Sequence, residues 1–264
     1  MTMNNRINDD ILRSVEKPAR YTGNEWNVVQ KDVNDIKIRF AFCFPDVYEV
    51  GMSHLGMRIL YHLINEREDS WCERVFAPWV DMEEKMRENG IPLFALESHD
   101  PVNIFDFIGF SLQYEMSYTN IINMLDLAGI PIRTADRAEE HPFVCAGGPC
   151  SCNPEPLAEI IDFFILGEAE EVINEVLDIY KGWKENGASR EDFLDKISSV
   201  EGVYVPGFYD VQYNGDGTVK AVAPIKDKYP RKVRKRIVKD LDNVYYPEKV
   251  IVPFTDIVHN RLML

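Results

Sequence analysis

No apolar run in this sequence approaches the roughly 20 residues needed to cross a bilayer. Its opening, Met1-Thr-Met-Asn-Asn-Arg-Ile-Asn-Asp-Asp10, has no apolar signal core. The expected location is therefore cytoplasmic, with no membrane partner. Cysteine is scarce: five residues, an odd number without framework spacing, read as reduced thiols rather than disulfides. Cys150 and Cys152 lie too close together for easy bridging, and two thiols fall short of a tetrahedral metal site. Neither a P-loop nor a GxGxxG turn occurs, which weighs against a stand-alone nucleotide or flavin binder. Positive charge is also short. The 29 Lys and Arg against 44 Asp and Glu give a formal net charge of −15, which excludes a chain that grips nucleic acid with its whole surface.

What is present is ordinary globular composition, 45% hydrophobic and 28% charged over 264 residues, enough for one large domain or a domain plus an appendage. The most informative stretch is Phe143-Val-Cys-Ala-Gly-Gly-Pro149. An apolar run without polar alternation is how a strand covered on both faces looks, and Gly147-Gly148-Pro149 then supplies a turn at which a ligand can approach the backbone closely. Asn153 with Pro154 predicts the cap and first position of a helix burying Leu157, Ile160 and Ile161. Ile161 to Leu166 predicts the next strand. Gly167-Glu168 ends it before an amphipathic helix carrying Val172, Ile173, Val176, Leu177 and Tyr180.

The same rhythm recurs upstream. Residues up to about 35 read as an irregular arm, with a short helix near Asp10 to Val15. Ile36 to Phe44 is the first central strand, and the loop Pro45 to Gly56 leads into a helix through Leu55, Ile59, Leu60, Leu63 and Ile64. Arg74 to Ala77 predicts a second strand, and Asp81 to Asn89 a helix stopped by Gly90. Ile91 to Leu96 reads as a short edge element. Phe107 to Leu112 is a third buried strand, its exit loop Gln113 to Tyr118 preceding a helix that ends at Gly129. Alternating strands and helices predict right-handed crossovers and a doubly wound parallel sheet, whose carboxyl edge is where ligands bind in open α/β folds. Beyond residue 186 the composition changes to a short helix with Phe193, Leu194 and Ile197. Segments from Val203 and Phe208, turning at Asn214-Gly-Asp-Gly217, then predict antiparallel structure outside the parallel sheet. The expected division is an arm at 1–35, an α/β domain at 36–185 and an extension at 186–264.

Several longer strings carry a resemblance: Glu73-Arg-Val-Phe-Ala-Pro-Trp79, Gly109-Phe-Ser-Leu-Gln-Tyr-Glu115, Thr119-Asn-Ile-Ile-Asn-Met-Leu125, Gly147-Gly-Pro-Cys150 and Asn153-Pro-Glu-Pro156. With these the chain resembles the N-terminal part of radical SAM proteins that carry a cobalamin-binding-like domain. The resemblance implies a flavodoxin-like fold and, downstream, a radical SAM barrel in cis. That barrel would hold a [4Fe–4S] cluster on a CxxxCxxC loop and use S-adenosylmethionine. Val258 to Leu264 resembles the lead-in to it, so on this resemblance the chain stops short of the catalytic centre and holds no catalytic residue or metal ligand.

The resemblance implies for this domain either a bound cobalamin or the same fold retained without that cofactor. Such domains present DxHxxG after the first strand, whereas here Asp46 and His54 share the loop at a different spacing, and binding without an axial histidine is the form implied. The candidate pocket takes Asp46, Tyr48, Gly51, Met52 and His54 from the first loop. It takes Ser111, Leu112, Gln113 and Tyr114 from the loop after the third strand, and Gly147, Gly148, Pro149, Gly167 and Glu168 from the two glycine turns. Other roles stand beside these. His54 reads equally as a helix cap or packed ring, and Glu168 and Glu170 suit the positive end of a helix dipole. The basic run Lys226 to Lys239 reads either as an RNA contact or as a linker docked on this acidic protein. The substrate is then RNA or protein. The alternative to a cofactor domain is a noncatalytic docking module for the barrel or a macromolecular substrate.

Overall fold

The computed structural model describes residues 7–251; the expected lead-in at 258–264 lies outside them. In chain order the elements are α1 (Asp9–Ser14), β1 (Ile38–Phe44), α2 (Tyr48–Ser53), α3 (Leu55–Asn65), β2 (Ser70–Phe76) and α4 (Val80–Asn89). Next come β3 (Phe107–Ser111), α5 (Tyr118–Ala128), β4 (Phe143–Gly147), β5 (Phe163–Ile165), α6 (Ala169–Asn186) and α7 (Arg190–Ile197). The last are β6 (Val203–Tyr204), β7 (Tyr209–Tyr213) and β8 (Val219–Pro224). Six strands form one sheet in the order β2-β1-β3-β4-β5-β6. The first five are parallel, and β6 joins β5 antiparallel. The doubly wound α/β fold read from the sequence is the one observed, with β7 and β8 as a separate two-stranded ribbon.

Register explains the layering. Phe40, Phe107 and Phe143 stand abreast on neighbouring strands, so their rings share one face, with centroids 5.7 Å apart for Phe40 and Phe107 and 5.9 Å for Phe107 and Phe143. Tyr180 and Trp183 of α6 and Phe193 of α7 close over Phe143, so α6 and α7 cover this face. α3 packs beside α6. The crossovers through α4 and α5, joined where Arg87 donates to Asn123 and Asp126, supply the neighbouring layer.

Four local expectations change. Two 3₁₀ turns, Pro149–Cys152 and Glu155–Leu157, replace the helix expected after Asn153. Pro154 and Pro156 each lack an N–H, and a proline ring clashes with the carbonyl four residues back, so no α-helix propagates there. Leu157 and Ile161 are buried all the same. The first loop contains α2. Val203–Tyr204 pairs with β5 and extends the main sheet. β2 starts four residues earlier than the expected Arg74, because Glu73, charged and fully buried beside the equally buried Arg74, interrupts the apolar pattern.

Those charges are tolerated because they are matched. The Arg74 guanidinium donates to Glu97 at 2.7 Å and to both Glu25 oxygens at 2.8 and 2.7 Å, while the Arg74 amide donates to the second Glu97 oxygen. Glu73 accepts from Arg39 and from the Ser98 amide. The arm is fixed by the same contacts, with Trp71 Nε1 donating to Val29 O and Lys31 donating to three carbonyls around the start of β2. An edge strand is thereby covered rather than left open to pairing. Removing one partner of a buried pair leaves an uncompensated charge and costs about 3–5 kcal/mol. Glu97→Ala should therefore lower the urea unfolding free energy by about that amount; a loss within about 1 kcal/mol of wild type, the range of exposed pairs, would show that the network is not what fixes the arm.

Candidate functional site

The aromatic level of the sheet gives way to small side chains one level nearer the carboxyl edge. Gly109 and Cys145 stand abreast of Phe42, and Ser111 and Gly147 abreast of Ile165. The volume not filled there is a cavity of about 300 Å³ beneath α3 and α6. Phe40, Phe42, Cys145 and Ile165 form its floor, and Ile59, Leu60 and Ile64 of α3 with Ala169 and Ile173 of α6 its roof. Most of this surface is apolar, with polar groups gathered at the mouth: His54, Ser111, Gln113, Glu168 and Glu170.

Two glycines set the shape. A Cβ on Gly109 would lie 2.4 Å from the Phe40 ring, so only glycine lets that ring lie flat across β3. Gly148 has φ 107°, and a Cβ there would come within 2.8 Å of Leu112 O and 2.9 Å of Gln113 Nε2. That conformation belongs to glycine, and it brings the backbone of the turn to the cavity mouth.

The polar mouth is internally bonded. Gln113 Nε2 donates to Ser111 Oγ at 2.8 Å. His54 is the N-cap of α3, its Nδ1 accepting the Met57 amide at 3.3 Å, and its ring tilts against Phe44 with centroids 5.5 Å apart. A nitrogen that accepts an amide carries no proton, so the ring proton sits on Nε2. Burial pulls the His54 pKa below its usual 6.5, with a hydrogen bond to Gln113 opposing, so the ring is neutral at neutral pH. Glu168 is engaged elsewhere: its carboxylate accepts the Val238 amide, and its own amide donates to Arg236 O at 3.1 Å. The basic segment thus crosses the end of β5 as a strap, pairing at Gly167, where a Cβ would lie 2.1 Å from Arg236 O.

Of the residues proposed from sequence, His54, Ser111, Gln113, Gly147, Gly148, Pro149, Gly167 and Glu168 come together around this one cavity. The rest are not on it. Asp46 accepts the amide of Val47 in its own loop, the Tyr48 hydroxyl donates to Glu25 at 2.7 Å, and Met52 Sδ accepts from Arg74. Gly51 is wedged against Phe76, Leu112 is fully buried with its amide donating to Gly147 O, and the Tyr114 side chain is exposed. Sequence reading missed the apolar lining from β1, α3 and α6, which has the same composition as core. The available signal was the small pair Gly109 and Cys145 at equivalent positions of otherwise bulky strands. Among the described residues no group of three or more His, Cys, Asp or Glu is placed to hold a metal, and no helix is long and apolar enough to cross a membrane.

The His54 cap has a pH consequence. A histidine whose folded pKa lies below its unfolded value of 6.5 costs stability as pH falls through 6.5, because the unfolded chain takes up the proton first. Asn also caps helices well and does not titrate. The stability of His54→Asn relative to wild type, from urea unfolding, should therefore rise as pH is lowered from 7.5 to 5.5. A difference independent of pH would contradict a neutral, capping His54.

Comparison with known proteins identifies a family. Residues 56–206, more than half of the chain, match the family described as radical SAM proteins, N-terminal. The chain is also 28% identical over 146 residues to an uncharacterized protein of Methanocaldococcus jannaschii, a match covering 53% of this chain and 27% of that protein. It therefore spans about a quarter of the length of that curated relative. No solved structure matches. The family match extends over more than half of the residues and leads to one assignment: this chain belongs to the radical SAM proteins, as an N-terminal domain of that family.

Proposed function

We propose that this domain, taken as residues 36–185 braced by the arm and the extension, holds a cobalamin for a radical SAM catalytic domain elsewhere in the same polypeptide. The observation that carries the reading is the cavity of about 300 Å³ between the sheet and helices α3 and α6. That volume is at the lower end of small-molecule sites, which run from roughly 300 to 1,000 Å³. It suits a flat bicyclic base such as the benzimidazole of the nucleotide tail and is too small for a corrin ring with its amide arms. On this reading the base enters the apolar cavity, and the corrin stays outside. Gln113, Ser111 and the backbone of Gly147-Gly148 are the polar groups at the mouth available to the tail. His54 would contribute to the wall of the mouth, its Nδ1 being engaged by the Met57 amide as the cap of α3. Cobalamin supplies reactive cobalt chemistry when bound, while binding, orientation and exclusion of water fall to the protein. The [4Fe–4S] cluster and S-adenosylmethionine belong to the downstream barrel.

The second reading, a docking module without a cofactor, has its own observation. Leu55, Trp79, Val80, Tyr114 and Met116 are exposed apolar residues in the segments that follow β1, β2 and β3, on the loops where α/β folds place their contacts.

Ultraviolet–visible titration with hydroxocobalamin separates the two. The first reading expects a saturable shift of the corrin bands and co-elution on gel filtration. Leu60→Trp, which fills the cavity from its roof, should melt no lower than wild type and bind at least tenfold more weakly. No retention by the wild-type chain, or equal binding by Leu60→Trp, would leave the docking reading.

A further inference from the structure

Residues 218–239 carry nine Lys and Arg against a single Asp, in a chain whose net charge is −15. Three of these cations are neutralised on the body of the protein. Lys226 pairs with Glu191, Lys228 with Asp195, and Arg236 with Glu171 and Glu175, both at 2.7 Å. These contacts, with the backbone pairing of Arg236 at Gly167, are enough to fix the strap. The other six, Lys220, Arg231, Lys232, Arg234, Lys235 and Lys239, are exposed and form no ion pair among the described residues. Docking on an acidic surface accounts for the first group and not for the second.

Lys is depleted from the cores of protein interfaces, which are built on aromatic and apolar anchors. A dense row of Lys and Arg on an extended segment is instead the pattern that tracks a phosphate backbone. The ribbon of β7 and β8 stands against the strap, the Tyr209 hydroxyl donating to Pro230 O at 2.8 Å. It presents Tyr213, 62% exposed, at the end of β7, and an open aromatic ring is what stacks on an unpaired base. At physiological ionic strength the acidic remainder is screened beyond about 8 Å, so a local cluster acts by its own sign.

We propose that the strap at 226–239, with Lys220 and Tyr213 of the adjacent ribbon, is a binding surface for single-stranded RNA. The surface adjoins the cavity mouth through Gly167 and Glu168, placing a nucleic-acid partner beside the site. The inference stands on charge and exposure and does not depend on cobalamin.

The test is fluorescence anisotropy of a labelled single-stranded RNA oligonucleotide titrated with the whole chain at several salt concentrations. Six phosphate contacts at about 0.7 each give a log–log salt slope near −4, so a fourfold rise in salt should weaken binding by roughly 100-fold or more. Arg231→Glu, Lys232→Glu and Arg234→Glu combined should flatten the slope by about 2 and weaken low-salt binding at least tenfold. Lys85→Glu, on α4, should change neither. Hydroxocobalamin titration of the triple variant should match wild type, so failure of one proposal is not failure of the other. No RNA binding at low salt, or unchanged binding by the triple variant, overturns the inference. Polyglutamate bound as tightly as RNA overturns it in favour of an acidic protein partner.

Discussion

On the face of the sheet covered by α3 and α6, side chains change size abruptly between one level and the next. Phe40, Phe107 and Phe143 fill the space under α6 and α7. One step toward the carboxyl edge, Gly109 and Cys145 stand beside Phe42, and Ser111 and Gly147 come next. Protein interiors are packed too tightly to leave such space without cause. The aromatic level holds the helices at a fixed height, and the small residues above it cannot reach them. The cavity is the difference between the two levels, and its lining, polar mouth and glycine turn all follow from that step.

The elements that brace this arrangement are tied by charge in two places, at the β2 edge and at the start of β5. At the β2 edge, Arg74 and Glu97 are buried together with Glu25 reaching in from the arm. Toward the opposite side of the sheet, Asp162 accepts from both Arg137 and Arg190, which joins the start of β5 to α7 and the segment before β4. The strap completes the rim by pairing at Gly167 and engaging the Glu168 carboxylate with the Val238 amide. A carboxylate committed to that amide is a structural part of the mouth. These contacts leave Gln113, Ser111, Glu170 and the Gly147-Gly148 turn as the polar groups at the mouth that the strap does not engage, and they place the exposed cations of the strap, which form no ion pair among the described residues, immediately outside.

Much of the fold was legible because it is written in local patterns. Apolar runs in β1, β3 and β4, the αL glycine Gly90 after α4 and the Asn-Gly-Asp-Gly turn each signal their element without reference to the rest of the chain. β2 reads short from the sequence because the charged Glu73 breaks the apolar run ahead of Arg74, and the burial of both depends on Glu25, Arg39 and Glu97, of which Glu25 and Arg39 are distant in sequence. The helix expected after Asn153 was read from a cap signal that Pro156 overrides. At the site, the polar and glycine residues of the mouth stood out by type. Ile59, Leu60, Ile64 and Ile173 did not, since an aliphatic residue facing a cavity looks the same in sequence as one facing a core. Asp46, Tyr48 and Met52 lie near His54 in sequence, but Asp46 accepts the Val47 amide in its own loop and α2 turns Tyr48 toward Glu25 and Met52 toward Arg74.

The cavity as the seat of a nucleotide tail is the claim on which the functional account rests. Isoleucine methyl NMR reports on it directly, because Ile59, Ile64, Ile165 and Ile173 line the cavity while Ile11 and Ile121 are buried elsewhere. Spectra would be recorded with cobalamin and with cobinamide, which has the corrin but lacks the nucleotide tail. The account predicts that cobalamin shifts the four cavity methyls and leaves Ile11 and Ile121 in place, and that cobinamide shifts none of the four. Equal shifts with both compounds, or shifts confined to methyls outside the cavity, would contradict it.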